Sequence, residues 1–160
     1  VELVGEIQRP TFMNEFERHI RAAIYASFRD QSRSPSAAEI SDALSASPEE
    51  VSSALRNLAE EHCLVLVPGT ESIWMAHPFS GIETDFVVTI GDRRWFANCV
   101  WDGLSILALL GGQPGGSLDT HSPATGEGLR FEVSQGTVRG PGIVHFLVPA
   151  RRFWDDIGYT

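Results

Sequence analysis

Residues 76–112, AHPFSGIETDFVVTIGDRRWFANCVWDGLSILALLGG, decide how this chain is read. Phe86, Val88 and Ile90 alternate with Val87 and Thr89, the period-two pattern of a strand. Gly91-Asp92 supplies a turn, and Arg94-Trp95-Phe96-Ala97 forms the return strand. Asn98 is a helix-capping residue type, and the helix it opens is expected from residue 99 to about 110, where Gly111-Gly112 ends it. Val100, Trp101, Leu104, Ile106, Leu107, Leu109 and Leu110 leave that helix apolar almost all round. Such a helix is expected to be buried rather than to lie on a surface. Antiparallel strands packed around a buried helix place the segment in the α+β class.

This unit begins near His77-Pro78-Phe79-Ser80. Downstream, residues 113–128 are rich in Gly, Pro and Ser and read as a loop. Further strands are expected over residues 129–133, from Val138, and over 143–148. Upstream the pattern is helical. Phe12, Phe16, Ile20, Ile24 and Phe28 recur at spacing four. A polar break ends in Ser34-Pro35-Ser36, a helix entry, and Ala38, Ile40, Ala43 and Leu44 make a second stripe. Ser47-Pro48-Glu49-Glu50 then offers a cap, a proline at the first helical position and acids on the positive helix end. Val51, Leu55 and Leu58 follow as a third stripe. A β-type run at 64–67, the turn Pro68-Gly69 and a return over 72–75 complete the layout of a winged helix-turn-helix. The expected organisation is a winged-helix-like domain over residues 1–76 and a second domain over 77–160.

A winged helix invites a nucleic-acid reading, and charge opposes it. Between Pro48 and His62 the third helix carries Glu49, Glu50, Glu60 and Glu61 against the single Arg56. A recognition helix needs donors for phosphates and base edges. The whole chain, 160 residues long, has a net charge of −9, and its twelve basic residues are all arginine. The acids outnumber them in both halves, so neither supplies the field that binds nucleic acid or an anionic membrane. Apolar residues make up 42% of the chain, enough for a core, and no apolar run approaches the ~20 residues that span a bilayer. No export leader is visible at Val1-Glu2-Leu3-Val4, and two cysteines do not make a disulfide scaffold. The expectation is a cytoplasmic protein with reduced thiols at Cys63 and Cys99.

Chemistry concentrates in Asn98-Cys99-Val100-Trp101-Asp102. Cys99 in the first helical turn would meet free backbone N–H groups and the positive end of the helix dipole, which favour a thiolate. Asp102, three residues on, shares its face. A carboxyl in apolar surroundings holds its proton to higher pH, which suits proton shuttling. From spacing alone two readings stand: a nucleophile beside its base, or a packed thiol beside a helix-terminal charge. His77, Trp95 and Trp101 are candidates for the wall of a pocket. His62, His77, His121 and His145 lack the short spacings of a zinc site, and Asp155-Asp156 reads as a solvated turn. Cys63 reads as a core thiol at the end of the third helix.

The quoted stretch resembles the core of the alkylmercury lyase (organomercurial lyase) family. The similarity continues through Thr120-His121-Ser122-Pro123-Ala124-Thr125-Gly126 and Ile143-Val144-His145-Phe146, and the N-terminal layout fits it. The resemblance implies protonolytic cleavage of a carbon–mercury bond, with release of a hydrocarbon and enzyme-held Hg(II). Cys99 would be the mercury-binding thiol and Asp102 the proton shuttle, both in contact with mercury as substrate and product. It implies no organic cofactor, a small organomercurial as substrate, and other thiols as acceptors for Hg(II). Soft Hg(II) prefers thiolates over nitrogen and oxygen ligands. The resemblance also implies a second catalytic cysteine, expected just beyond Thr160, and it places Ser122 where some members carry a cysteine. The alternative is a degenerate relative that holds a soft metal ion or a small apolar ligand without cleaving it.

Overall fold

A computed structural model describes residues 13–112, 115–146 and 148–158. The first helix, α1 (Glu15–Gln31), buries Ile20, Ile24 and Phe28, the stripe expected at spacing four; Phe12 lies outside the described residues. α2 (Ala37–Leu44) and α3 (Pro48–Glu60) follow. Each of the three helices opens on a capping box: Asn14 with Glu17, Ser36 with Glu39, Ser47 with Glu50. In each box a side chain takes one free N–H at the helix start while the glutamate returns to the cap's own N–H. Local chemistry therefore sets where these helices begin.

Among the described residues, eight strands form one antiparallel sheet. They are β1 (Val65–Leu66), β2 (Ile73–Ala76), β3 (Phe79–Ser80), β4 (Val87–Ile90), β5 (Arg93–Ala97), β6 (Gly116–His121), β7 (Gly128–Ser134) and β8 (Thr137–Arg139), in the order β1-β2-β3-β5-β4-β6-β7-β8. The hairpin after α3 is thus the end of a continuous sheet, joined through the β2–β3 pairing of Met75 with Ser80 and Ala76 with Phe79. One hydrophobic cluster runs from Ile20 in α1 to Phe131 in β7, across the expected boundary at residue 76.

The register assigns the two faces of the sheet. Trp95, Val88, Leu118 and Phe131 stand opposite one another across four strands and therefore point the same way. Helix α4 (Val100–Leu110) packs on that face. Gly103 lies so close that a Cβ there would stand 2.7 Å from both methyl carbons of Leu118. Phe28 of α1 reaches the same side, its ring stacked on Phe79 at 4.8 Å. The other face presents Arg94, Thr89, Ser117 and Glu132 in one row and the Asp119–Arg130 ion pair, 2.9 Å long, in the next. A sheet covered on one side and polar on the other is an ordinary antiparallel arrangement.

Three expectations change here. α4 is not sealed all round: Gly103, Ile106 and Leu107 are buried, but Trp101 is 56% and Leu109 66% exposed. The sheet covers only one side of the helix, and its outer side carries apolar residues in the open. The presumed loop over 113–128 contains β6, a central strand between β4 and β7. Its sequence GSLDTH has one large apolar residue in six, so apolar alternation has nothing to register. Conversely, residues 143–146 form no strand; Phe146 makes ring contacts with Trp101 and Phe153 instead. The last described element is a 3-10 turn, Ala150–Asp155. Among the described residues no helix is long and apolar enough to cross a membrane.

Candidate active site around Cys99 and Asp102

β5 delivers the chain at Ala97, and the next residues turn into α4. The residue that caps this helix is Cys99, not Asn98: its backbone is extended and its Sγ accepts the Asp102 N–H at 3.5 Å. Sulfur occupies a position usually held by a hydroxyl or carboxylate oxygen. Asn98 is freed for another task. Its Nδ2 donates to Oδ2 of Asp102 at 3.0 Å and lies 3.4 Å from the Phe79 carbonyl oxygen. Its Oδ1 is buried without a hydrogen-bond partner among the described residues.

The electrostatics of the thiol also differ from expectation. Burial pushes the Cys99 pKa above its ordinary value. The N–H groups of Asp102 and Trp101 pull it down, while the charge of Asp102 adds to the rise. Desolvation outweighs the helix terminus, so the resting group is a thiol with its proton in place. Asp102 sits in polar rather than apolar company. Besides Asn98, Nδ1 of His77 lies 3.3 Å from Oδ2, and the aspartate side chain is only 14% exposed.

His77 is therefore at the site. Its carbonyl oxygen accepts the Tyr25 hydroxyl of α1 at 2.8 Å, and its bond to Pro78 is cis. Its ring meets the edge of Trp154, 6.3 Å between centroids, and Trp154 stacks on His62 at 4.1 Å. Trp101 lies on the outer side of α4 against Phe146, which in turn packs on Phe153. Adjacent residues of the 3-10 turn thus have different ring partners, Phe153 meeting Phe146 and Trp154 meeting His77 and His62. Trp95 is engaged elsewhere: it is 3% exposed and its Nε1–H is donated to the Phe28 carbonyl.

The remaining residues are dispersed. Cys63 follows α3, with its Sγ 3.6 Å from the Glu61 carbonyl oxygen, and neither cysteine is in a disulfide. Ser122 begins the turn between β6 and β7, exchanging backbone bonds with Glu127 and Gly126. Asp155 is paired with Arg152. Among the described residues no group of three or more His, Cys, Asp or Glu side chains is arranged to hold a metal ion. The His77 contact, 25 residues away in sequence, depends on tertiary placement, while the Asn98 contact is local and depends on sulfur taking the cap. The Asn98-to-Asp102 spacing of four was the one available signal.

Cys99 at the start of α4 and Asp102 in its first turn thus place a thiol and an acid at one helix start, against an antiparallel sheet. The alkylmercury lyase family model matches residues 79–159, which include both residues, and the chain belongs to that family. A search of curated proteins finds no match. Among solved structures, the fold is similar to the crystal structure of the mercury-bound form of MerB2, with a TM-score of 0.61 and 22% identity. That likeness covers 80% of this chain and 60% of the other, so this chain spans about three fifths of that structure's length.

Proposed function

We propose that this protein cleaves the carbon–mercury bond of small organomercurials by protonolysis. The observation that carries the reading is the Cys99–Asp102 pair, in which the sulfur accepts the backbone N–H of Asp102 and the charge of that residue raises the thiol pKa. Family membership and the mercury-bound neighbour support the substrate class.

The chemistry balances without oxidation or reduction. An organomercury cation, R–Hg⁺, meets the Cys99 thiol; a sulfur–mercury bond forms and the thiol proton passes to Asp102. A second sulfur ligand, supplied by an added thiol that gives its proton to solvent as it binds, raises electron density on mercury and weakens its bond to carbon. Asp102 then protonates the carbon, the carbon–mercury bonding pair becomes the carbon–hydrogen bond, and Hg(II) remains on sulfur for transfer to another thiol. Loss of the proton is coupled to capture of the metal, because a thiol held protonated by burial ionises readily only when a soft cation replaces the proton.

The test is benzene release from phenylmercuric acetate in excess thiol. Cys99→Ser should abolish release, and unchanged turnover in that variant would overturn the assignment. Asp102→Ala should still retain mercury but release benzene at least ~100-fold more slowly, within the range of general acid catalysis. Tight mercury retention without hydrocarbon from the unaltered chain would replace the lyase reading with that of a soft-metal binder.

A further inference from the structure

The geometry points to His77 as a positioning residue for the proton carrier Asp102, an assignment that rests on the lyase reading above. Both hydrogen bonds to the Asp102 carboxylate among the described residues fall on one oxygen, Oδ2: Asn98 Nδ2 at 3.0 Å and His77 Nδ1 at 3.3 Å. A carboxylate only accepts, so in this pair Nδ1 of the imidazole carries the hydrogen. With Oδ2 engaged by two donors, Oδ1 is the oxygen left to take the proton from sulfur and pass it to carbon.

His77 is suited to this because its own place is over-determined. Tyr25 of α1 holds its carbonyl oxygen, and Trp154 of the 3-10 turn meets its ring while stacked on His62 at the end of α3. α1 thus holds the main chain of His77 and the 3-10 turn meets its ring, and the imidazole in turn holds the carboxylate rotamer. Proton delivery demands such fixation, since a misplacement of about 1 Å can lower a rate roughly a hundredfold. His77 also lies outside the stretch that the family model matches, whereas Asn98, Cys99 and Asp102 lie inside it. The contact therefore adds to the matched thiol-and-acid core a support from the segment before it.

The experiment compares His77→Ala and His77→Asn with the full chain on phenylmercuric acetate. Asparagine keeps an N–H donor near the Nδ1 position. His77→Ala should lower kcat for benzene release roughly ten- to hundredfold with KM unchanged, and His77→Asn should recover most of it. An unaltered kcat in His77→Ala, or a parallel loss of kcat and mercury capture in both variants, overturns the assignment. Nitrogen NMR of the imidazole supplies a readout independent of turnover. A neutral His77 bearing its hydrogen on Nδ1, and losing that preference in Asp102→Ala, supports the contact; an unprotonated Nδ1 overturns it. If the unaltered chain releases no benzene, the lyase reading alone fails, and the tautomer still decides whether His77 orients Asp102. If His77→Ala does not fold, His77→Asn and the tautomer carry the decision.

Discussion

At the scale of the residue, Cys99 is governed by two opposed influences. The N–H groups at the start of α4 favour the anion, and burial beside Asp102 disfavours it more. The consequence is a thiol that is unreactive until a soft electrophile arrives. In a Cys63→Ser background without mercury, alkylation of Cys99 by iodoacetamide should follow a pH profile whose midpoint lies above the ordinary thiol value of about 8.5. The sign follows from the raised pKa: below the midpoint the sulfur keeps its proton, and the rate climbs only as it is lost. A midpoint at or below that value would mean that the helix terminus dominates. The association of Cys99 with Asp102 was legible in the sequence, because the two are three apart at a helix start. Their surroundings were not. Asn98 is a good capping residue type, but the sulfur of its neighbour takes the position and leaves the amide free for Asp102.

At the scale of the element, α4 is seated by the absence of side chains. Gly103 lets the helix settle on Leu118, which is fully buried and has no room to turn aside. Gly116 is tighter, since a Cβ there would stand 2.5 Å from the Thr89 carbonyl oxygen and 2.7 Å from Leu107 Cδ2. Gly103→Ala should lower stability by about 1–2 kcal/mol, overpacking being partly offset by the better helix propensity of alanine. Gly116→Ala should be the more damaging, because the obstacle is main chain that cannot rotate away. Urea unfolding of the two variants checks the order. The same strand shows where periodicity fails. β6 is central, yet of its helix-facing positions Gly116, Leu118 and Thr120 only Leu118 is a large apolar residue, too little to announce a strand. The capped helices α1 to α3 were legible because their signals are local. The exposure of Trp101 and Leu109 was not, since an apolar helix sequence does not tell how many of its sides will be covered.

At the scale of the whole molecule, the helical first part and the sheet share one interior. The Phe28–Phe79 stack and the 2.6 Å bond from Trp95 Nε1 to the Phe28 carbonyl join them. Residues 1–76 and 77–160 should therefore unfold together. Tryptophan fluorescence and far-ultraviolet circular dichroism should give one coincident urea transition. Phe28→Ala should shift it as a unit, by about 3–5 kcal/mol. Two resolved transitions would count against a common core. The α+β class and the order of helices before strands could be read along the chain. The continuity could not, because it is made by pairings such as Ala76 with Phe79 and Phe79 with Ala97 that bring short strands into one surface.

The link between the Cys99 sulfur and residue 102 runs through the main chain and ignores what side chain is present there. Any replacement of Asp102 except proline leaves that anchor intact. A panel of substitutions at this single position consequently varies the acid while the sulfur that we propose takes mercury stays put. Grip and release, the two halves of the chemistry, become separable by genetics alone.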